Sequence, residues 1–188
     1  MTDYFSILDQ PRRPWLEEAP LKESFQRLAA IQHPDKAGTG DAARFAVLNS
    51  AYSTLKEPAL RLRHLLELES EPLPSTAQIP PALAQVFMEL AGARGKLDRF
   101  LAKQSGASSP LGKAMVAIEK NALQESWELM ARRIRTAKES ATERLMQLDA
   151  DWHGPEPVRE TLVALHQEFA YLARWETQLR EALLSLAL

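Results

Sequence analysis

Apolar residues recur along this chain at intervals of three and four, the spacing of one face of an α-helix. Three long stretches show this spacing, at about 82–104, 110–149 and 155–187. The N-terminal part shows it in two shorter runs, at Leu21, Phe25, Leu28 and Ile31 and then at Phe45, Leu48, Ala51, Tyr52 and Leu55. The sequence lacks the long β-branched alternations that are typical of strands, so the pattern predicts an all-α protein with these stripes buried.

Prolines and capping residues mark the predicted helix boundaries. Pro20 suits a first helical position, where its missing N–H costs nothing, and Pro58 suits the start of a helix through Leu68. The residue before a proline avoids helical geometry, so the helix after Pro20 should end near Gln32, just before Pro34. Asp41 is the predicted cap of the next helix, which runs to Lys56. Ser109-Pro110 supplies a cap and a first residue for a later one.

A proline-rich segment at 71–81 predicts a stiff linker between two domains, at 1–70 and 82–188. The second domain contains the three long apolar stripes, which need partner helices to cover them, and a three-helix bundle supplies these within one chain. The alternative is a homodimeric coiled coil, which the short connections disfavour because they suit antiparallel helices of one chain.

Composition excludes several classes of function. The chain has 188 residues, of which 45% are hydrophobic and 26% charged, as in ordinary globular proteins. A formal net charge of −2 predicts no nucleic-acid binding, and no apolar run is long enough to span a membrane. Cysteine is absent, which excludes disulfides, thiol catalysis and cysteine-ligated metal within these residues. The N-terminal residues do not form a secretory signal, so a cytoplasmic location is expected.

The sequence shows no phosphate-binding glycine loop, no histidine pair at metal-binding helical spacing and no nucleophile–base pattern. It therefore predicts neither an enzyme nor a bound cofactor or metal. His64, His153 and His166 are predicted to be surface or rim residues.

The candidate chemistry lies in His33-Pro34-Asp35, between two predicted helices. Pro34 restricts the loop, so the neighbouring side chains lose little entropy when they dock, and the Asp35 carboxylate suits a charge-assisted hydrogen bond to a partner arginine. The alternative is a polar turn without a role, since proline and aspartate are common turn residues.

The helix–His-Pro-Asp–helix arrangement, opened by the run Tyr4–Leu8, resembles the J-domain, which activates the ATPase of heat-shock seventy-class chaperones. The Pro58–Leu68 segment and the helical remainder resemble the HscB family, the J-proteins of iron–sulfur cluster assembly. This resemblance implies a chaperone partner of the HscA or DnaK type. It implies that the chaperone-binding residues are His33, Pro34, Asp35, Lys22, Arg27 and Lys36. Gln26 and Gln32 stand where the family usually has a basic residue and a tyrosine.

The same resemblance implies a second partner, the iron–sulfur scaffold protein IscU, which would be delivered to the chaperone. The matching scaffold-binding positions are Phe87, Met88, Ala91 and Trp175, and partial exposure of Trp175 is expected beside the Leu172/Leu179 stripe. Gly92 and Gly95 replace residues that are acidic in the family. The alternatives are that Phe87 and Trp175 are core residues, that the J-domain serves another client, or that the chain is a helical tether.

Overall fold

The structure is a computed structural model that describes residues 2–32, 42–68, 79–104 and 109–187. Every regular element in these ranges is a helix, as the apolar spacing predicts. The α-helices are α1 (Tyr4–Ile7), α2 (Glu18–Gln32), α3 (Ala42–Lys56), α4 (Pro58–Leu68), α5 (Ala84–Gln104), α6 (Pro110–Ala150) and α7 (Arg159–Ala187). Short 3₁₀ turns at Pro81–Leu83 and Glu156–Val158 precede α5 and α7. None of the helices in the described ranges is long and apolar enough to cross a membrane.

Contacts between residues divide the chain into two compact units. Unit 1 comprises residues 1–78 and 141–170, and unit 2 comprises residues 79–140 and 171–188. The end of α6 and the start of α7 therefore pack with the N-terminal helices, although the sequence pattern places them in the C-terminal bundle. The predicted domain limits at 1–70, 71–81 and 82–188 stay a prediction, and residues 71–78 of the linker lie outside the described ranges.

The core of unit 1 forms where α1, α2 and α4 pack around α3. Its buried residues are Phe5, Leu8, Leu16, Leu21, Leu48, Ala51, Leu55 and Leu65. The rings of Phe25 and Tyr52 stack between α2 and α3, with centroids 4.2 Å apart. The two helices on either side of the His-Pro-Asp loop thus lie side by side, as the apolar stripes predict.

The start of α2 and the burial of its last turn differ from expectation. The helix begins at Glu18, and Leu21 N–H donates to the Glu17 carbonyl at 3.3 Å. Pro20 therefore falls inside the first turn, where N–H groups have no helical acceptor and proline is tolerated. Ile31, predicted to be buried, is 52% exposed because the core cluster stops one turn short of the end of α2.

Ion pairs link α6 to each of the other two helices of unit 2. Arg133 of α6 pairs with Glu89 of α5, and Lys138 of α6 pairs with Glu176 of α7 at 2.9 Å. The apolar stripes of α6 and α7 are covered within one chain, so a second copy is not needed to bury them. The Ser109 hydroxyl accepts a hydrogen bond from Gly112 N–H at 3.0 Å, which confirms the predicted helix cap.

Candidate functional site

The His-Pro-Asp loop belongs to a part of the chain that the structure leaves undescribed. His33, Pro34, Asp35, Lys36 and the predicted cap Asp41 all lie outside the described residues. The flanking helices are described: α2 ends at Gln32 and α3 begins at Ala42. The roles of the loop residues therefore stay predictions. The structure describes only the pairing of the two helices that flank the loop.

The two predicted chaperone-binding residues on α2 differ in their surroundings. Lys22 is exposed and forms no ion pair with any described residue. Arg27 is exposed, and its Nη2 lies 2.7 Å from Oδ2 of Asp9. At 100° per residue the two side chains point about 140° apart around the helix. The basic face of α2 is therefore split, and half of its charge is compensated by Asp9.

Asp9 occupies an unusual backbone position just after α1. Its φ is +52°, in the left-handed region that aspartate and asparagine tolerate better than most residues. This turn places the carboxylate against Arg27, and both side chains are more than half exposed. An exposed pair of this kind contributes little to stability, so either charge is available to another protein.

His64 contradicts the expectation of a surface histidine. It is 3% exposed, and its Nε2 accepts a hydrogen bond from Tyr4 N–H at 3.0 Å. Its ring stacks on those of Tyr4 and Phe5. The apolar spacing of α4 did not predict the burial of His64, because the residues that cover it, Tyr4 and Phe5, belong to α1. His166 is half-buried, with Nδ1 2.8 Å from the Ala59 carbonyl oxygen, whereas His153 is exposed, as predicted.

Arg61 is a buried cation that the sequence analysis did not single out. Its Nε donates to the Pro14 carbonyl at 2.8 Å and its Nη1 to the Leu55 carbonyl at 2.7 Å. Burial lowers the pKa of Arg61 to about 10, so the side chain stays charged at neutral pH. Arg61 thus ties the segment before α2 to the end of α3, and its role is structural.

The predicted scaffold-binding residues on α5 form an exposed apolar ridge. Met88 is 69% exposed, Phe87 is 38% exposed, and Ala91 is exposed one turn further along the helix. Gly92 and Gly95 continue the ridge, and a Cβ atom at either position would meet nothing within 4 Å. The ridge therefore has room for side chains at both glycines.

Trp175 differs from the other predicted scaffold-binding residues. It is 3% exposed, which contradicts the partial exposure expected from its position beside the α7 stripe. Its ring stacks against Phe87 across the α5–α7 contact, with centroids 6.4 Å apart and planes at 28°. Trp175 is therefore a core residue that packs under Phe87. This agrees with the alternative given above, in which Trp175 belongs to the core.

A groove between α5 and α7 lies beside this ridge. It has a volume of about 230 Å³, and Phe87, Ala91 and Trp175 contribute to its lining. Two arginines also line it: Arg94 from α5 and Arg174 from α7. The Arg174 guanidinium lies over the Tyr171 ring, 5.9 Å from its centroid. The sequence analysis missed these arginines, because their convergence requires two helices that are distant in sequence.

The arrangement suits binding by surface contact. Among the described residues, no three histidine or carboxylate side chains are grouped as metal ligands. The predicted site residues instead form two surfaces: one on α2 beside the His-Pro-Asp loop, and one on α5 and α7. Each combines exposed side chains with a rigid helical support, which is the arrangement of a protein-binding surface.

Sequence comparison finds relatives that carry the name co-chaperone protein HscB homolog. The protein from Bordetella avium is 33% identical over 93 residues, which cover 44% of this chain and 55% of that protein. The chaperone protein DnaJ of Caulobacter vibrioides is 43% identical over 63 residues, or 32% of this chain and 16% of that protein. The chain spans about half the length of the HscB relatives that it matches. No protein-family profile matches it.

Structure comparison extends the likeness to almost the whole chain. Human co-chaperone HscB superposes with a TM-score of 0.63 at 18% identity, covering 96% of this chain and 81% of that one. HscB from Vibrio cholerae gives a TM-score of 0.55 at 19% identity, covering 96% of both chains. These identities are low, so the likeness concerns the fold: an all-α J-domain joined to a C-terminal helical bundle, as the sequence predicts. Together with the sequence relatives, this fold makes the chain similar to the HscB co-chaperones, which are J-domain proteins.

Proposed function

We propose that the chain is a J-domain co-chaperone that stimulates the ATPase of a heat-shock seventy-class chaperone of the HscA or DnaK type. The observation that supports this proposal is the side-by-side packing of α2 and α3 on either side of His33-Pro34-Asp35. In that setting Asp35 would accept hydrogen bonds from a partner arginine, and Lys22 and Arg27 would face an acidic surface. The role is non-catalytic in this chain, and a cytoplasmic location remains part of the proposal.

The steady-state ATPase rate of the chaperone, measured with and without the chain, tests this role. We expect the wild-type chain to raise the rate and His33→Gln to abolish the increase. His153→Gln is the matched control, because it makes the same substitution at an exposed histidine. Each substitution should change the free energy of unfolding by less than about 0.5 kcal/mol. No increase with the wild type would favour the tethering alternative, and an equal increase with His33→Gln would remove His33 from the proposed surface.

Asp9→Asn tests the part of this surface that the structure describes. Asparagine tolerates the left-handed backbone at this position and removes the carboxylate that faces Arg27. If Arg27 meets an acidic chaperone surface, removing its Asp9 partner should strengthen binding. The concentration of the chain that gives half-maximal stimulation should then fall roughly two- to fivefold at low salt. An unchanged or weakened half-maximal concentration would remove Arg27 from the proposed surface.

We further propose that unit 2 binds the iron–sulfur scaffold protein IscU through the α5 ridge and delivers it to the chaperone. The support is the resemblance at Phe87, Met88 and Ala91 together with their exposure. The test is scaffold binding by Met88→Ala, which truncates an exposed side chain and leaves the core intact. Trp175→Ala is unsuitable, since removing a buried tryptophan costs about 3–5 kcal/mol of stability.

Met115→Ala is the matched control, because Met115 is a similarly exposed methionine on α6 (56%). We expect Met88→Ala to weaken scaffold binding roughly tenfold, as for an apolar side chain buried at an interface, and Met115→Ala to leave it unchanged. Equal binding by both variants would show that Met88 does not belong to the scaffold-binding surface. No binding by the wild type would favour the alternative in which the J-domain serves another client.

A further inference from the structure

The groove between α5 and α7 has an apolar floor and cationic edges. Phe87, Ala91 and Trp175 provide the apolar surface, while Arg94 and Arg174 contribute guanidinium groups to the lining. No carboxylate lines this groove. A ligand that fills it therefore meets apolar surface and positive charge together.

The two arginines are available to a partner to different degrees. Arg174 forms no ion pair with any described residue, and its guanidinium is held over the Tyr171 ring. Arg94 lies 3.1 Å from Asp98, one turn along α5, with both side chains more than half exposed. An exposed pair of this type is worth little, so an incoming carboxylate competes with Asp98 at low cost.

The charged groups that line the groove are hydrogen-bond donors, namely the guanidinium groups of Arg94 and Arg174. Both guanidinium groups are donors without acceptor capacity. The complementary ligand must therefore supply acceptors, and carboxylates are the side chains that only accept.

Positive charge also extends over other parts of unit 2. On the side of α5 towards α6, Lys96 and Arg99 make no ion pair with any described residue, whereas Glu89 is paired with Arg133. Unit 2 as a whole contains twelve lysines and arginines against eight aspartates and glutamates, a formal charge of +4. The whole chain carries −2, so the positive charge is concentrated in this unit.

We propose that the α5–α7 groove binds an acidic protein segment that carries an apolar anchor. The anchor, a leucine or phenylalanine, packs on Phe87 and Ala91, and flanking carboxylates accept hydrogen bonds from Arg94 and Arg174. The field of unit 2 steers the acidic segment towards the groove. This inference rests on the proposed client-binding role of the α5 ridge, and it names the charge of the client surface.

Two fluorescently labelled synthetic peptides test the sign of the charge directly. Both contain one phenylalanine and one leucine, set among aspartates and glutamates in one peptide and among lysines in the other. Fluorescence anisotropy with the full-length chain should show binding of the acidic peptide alone. Its affinity should be several-fold higher at about 50 mM salt than at about 300 mM, because salt screens exposed charges. Binding of the basic peptide, or of neither, would overturn the inference.

Variants then locate the binding. Arg174→Gln removes a charge from the groove and should weaken binding of the acidic peptide roughly three- to tenfold. Gln178→Glu adds a carboxylate to the lining of the groove in place of a neutral side chain of the same shape. Gln124→Glu is the matched control, because it makes the same substitution at an exposed position of α6 that does not line the groove. Gln178→Glu should weaken binding several-fold relative to Gln124→Glu, and equal binding by these two variants would contradict the proposed location.

The same variants separate this inference from the proposed client. If the iron–sulfur scaffold protein binds and Gln178→Glu strengthens that binding, the client role stands and the inference fails. If the scaffold does not bind while the acidic peptide binds in an Arg174-dependent manner, the inference stands and the client must be another acidic protein.

Discussion

A single buried histidine shows how unit 1 couples its first helix to its fourth. Tyr4 N–H belongs to the first turn of α1, where helical acceptors are missing, and His64 Nε2 accepts its hydrogen bond at 3.0 Å. The acceptor nitrogen must be unprotonated to do this. Burial lowers the pKa of His64 below its usual value of 6.5, and the nearby Asp3 and Glu67 only partly oppose that shift.

This arrangement predicts a loss of stability in mild acid. The unfolded state binds a proton with a pKa near 6.5, whereas folded His64 binds it only at lower pH, so stability falls as pH decreases below about 6.5. Burial lowers the pKa of His166 too, which adds to the same trend. We expect the melting temperature to decline between about pH 7.5 and pH 5, and less steeply for His64→Gln. His153→Gln should keep the wild-type slope, and an identical slope for His64→Gln would remove His64 as the cause.

At the scale of a single helix, α5 contains two glycines that its packing does not require. A Cβ at Gly92 or Gly95 would meet nothing within 4 Å. Glycine inside a helix is less favourable than alanine, because it loses more backbone freedom on folding. Gly92 and Gly95 therefore lower the stability of α5 at the proposed partner surface.

Alanine substitution of these glycines should stabilise the chain. We expect Gly92→Ala and Gly95→Ala each to raise the free energy of unfolding by about 0.5–1 kcal/mol, measured by urea denaturation. Gly154→Ala is the contrasting variant, because Gly154 has a φ of +111°, where a side chain is strained. It should lower stability by about 1 kcal/mol or more. A destabilising effect of the α5 substitutions would show that this stretch of helix needs glycine.

At the scale of the whole molecule, unit 1 depends on residues from distant parts of the chain. Asp149, near the end of α6, is almost fully buried and accepts hydrogen bonds from Arg13 Nε at 3.0 Å and from Trp15 N–H at 3.1 Å. Trp152 Nε1 donates to the Arg12 carbonyl at 3.0 Å. The segment before α2 is therefore held by residues more than a hundred positions away.

Asp149→Ala should destabilise the chain much more than a substitution at a nearby exposed carboxylate. The variant removes the acceptor of Arg13 Nε and of Trp15 N–H, while the backbone carbonyl of residue 149 still accepts from Arg13 Nη2, so we expect a loss of about 2–3 kcal/mol in the free energy of unfolding. Asp151→Ala, two residues along and exposed, should change it by less than about 0.5 kcal/mol. Urea denaturation of the full chain measures both, and equal losses would mean that the Asp149 contacts contribute little.

Sequence signals within one or two turns of a helix were sufficient to predict most helices and the exposure of some candidate surface residues. Pro58 and Ser109-Pro110 start α4 and α6 as predicted, because caps and proline act over one turn of helix. Met88 is exposed on α5, in agreement with a surface role, although that role itself stays a prediction. The wrong expectations, for Ile31, His64 and Trp175, concern burial that residues outside the same helix decide.

The sequence by itself determined the all-α class, most helix boundaries and most positions that face the core, since each depends on residues within about four positions of one another. Only the tertiary structure decided that Trp175 is buried, that Arg94 and Arg174 line one groove, and that Asp149 holds Arg13. The physical reason is the same in each case. Whether a side chain at the edge of a helical stripe is covered, paired or free depends on a helix that arrives from elsewhere in the chain.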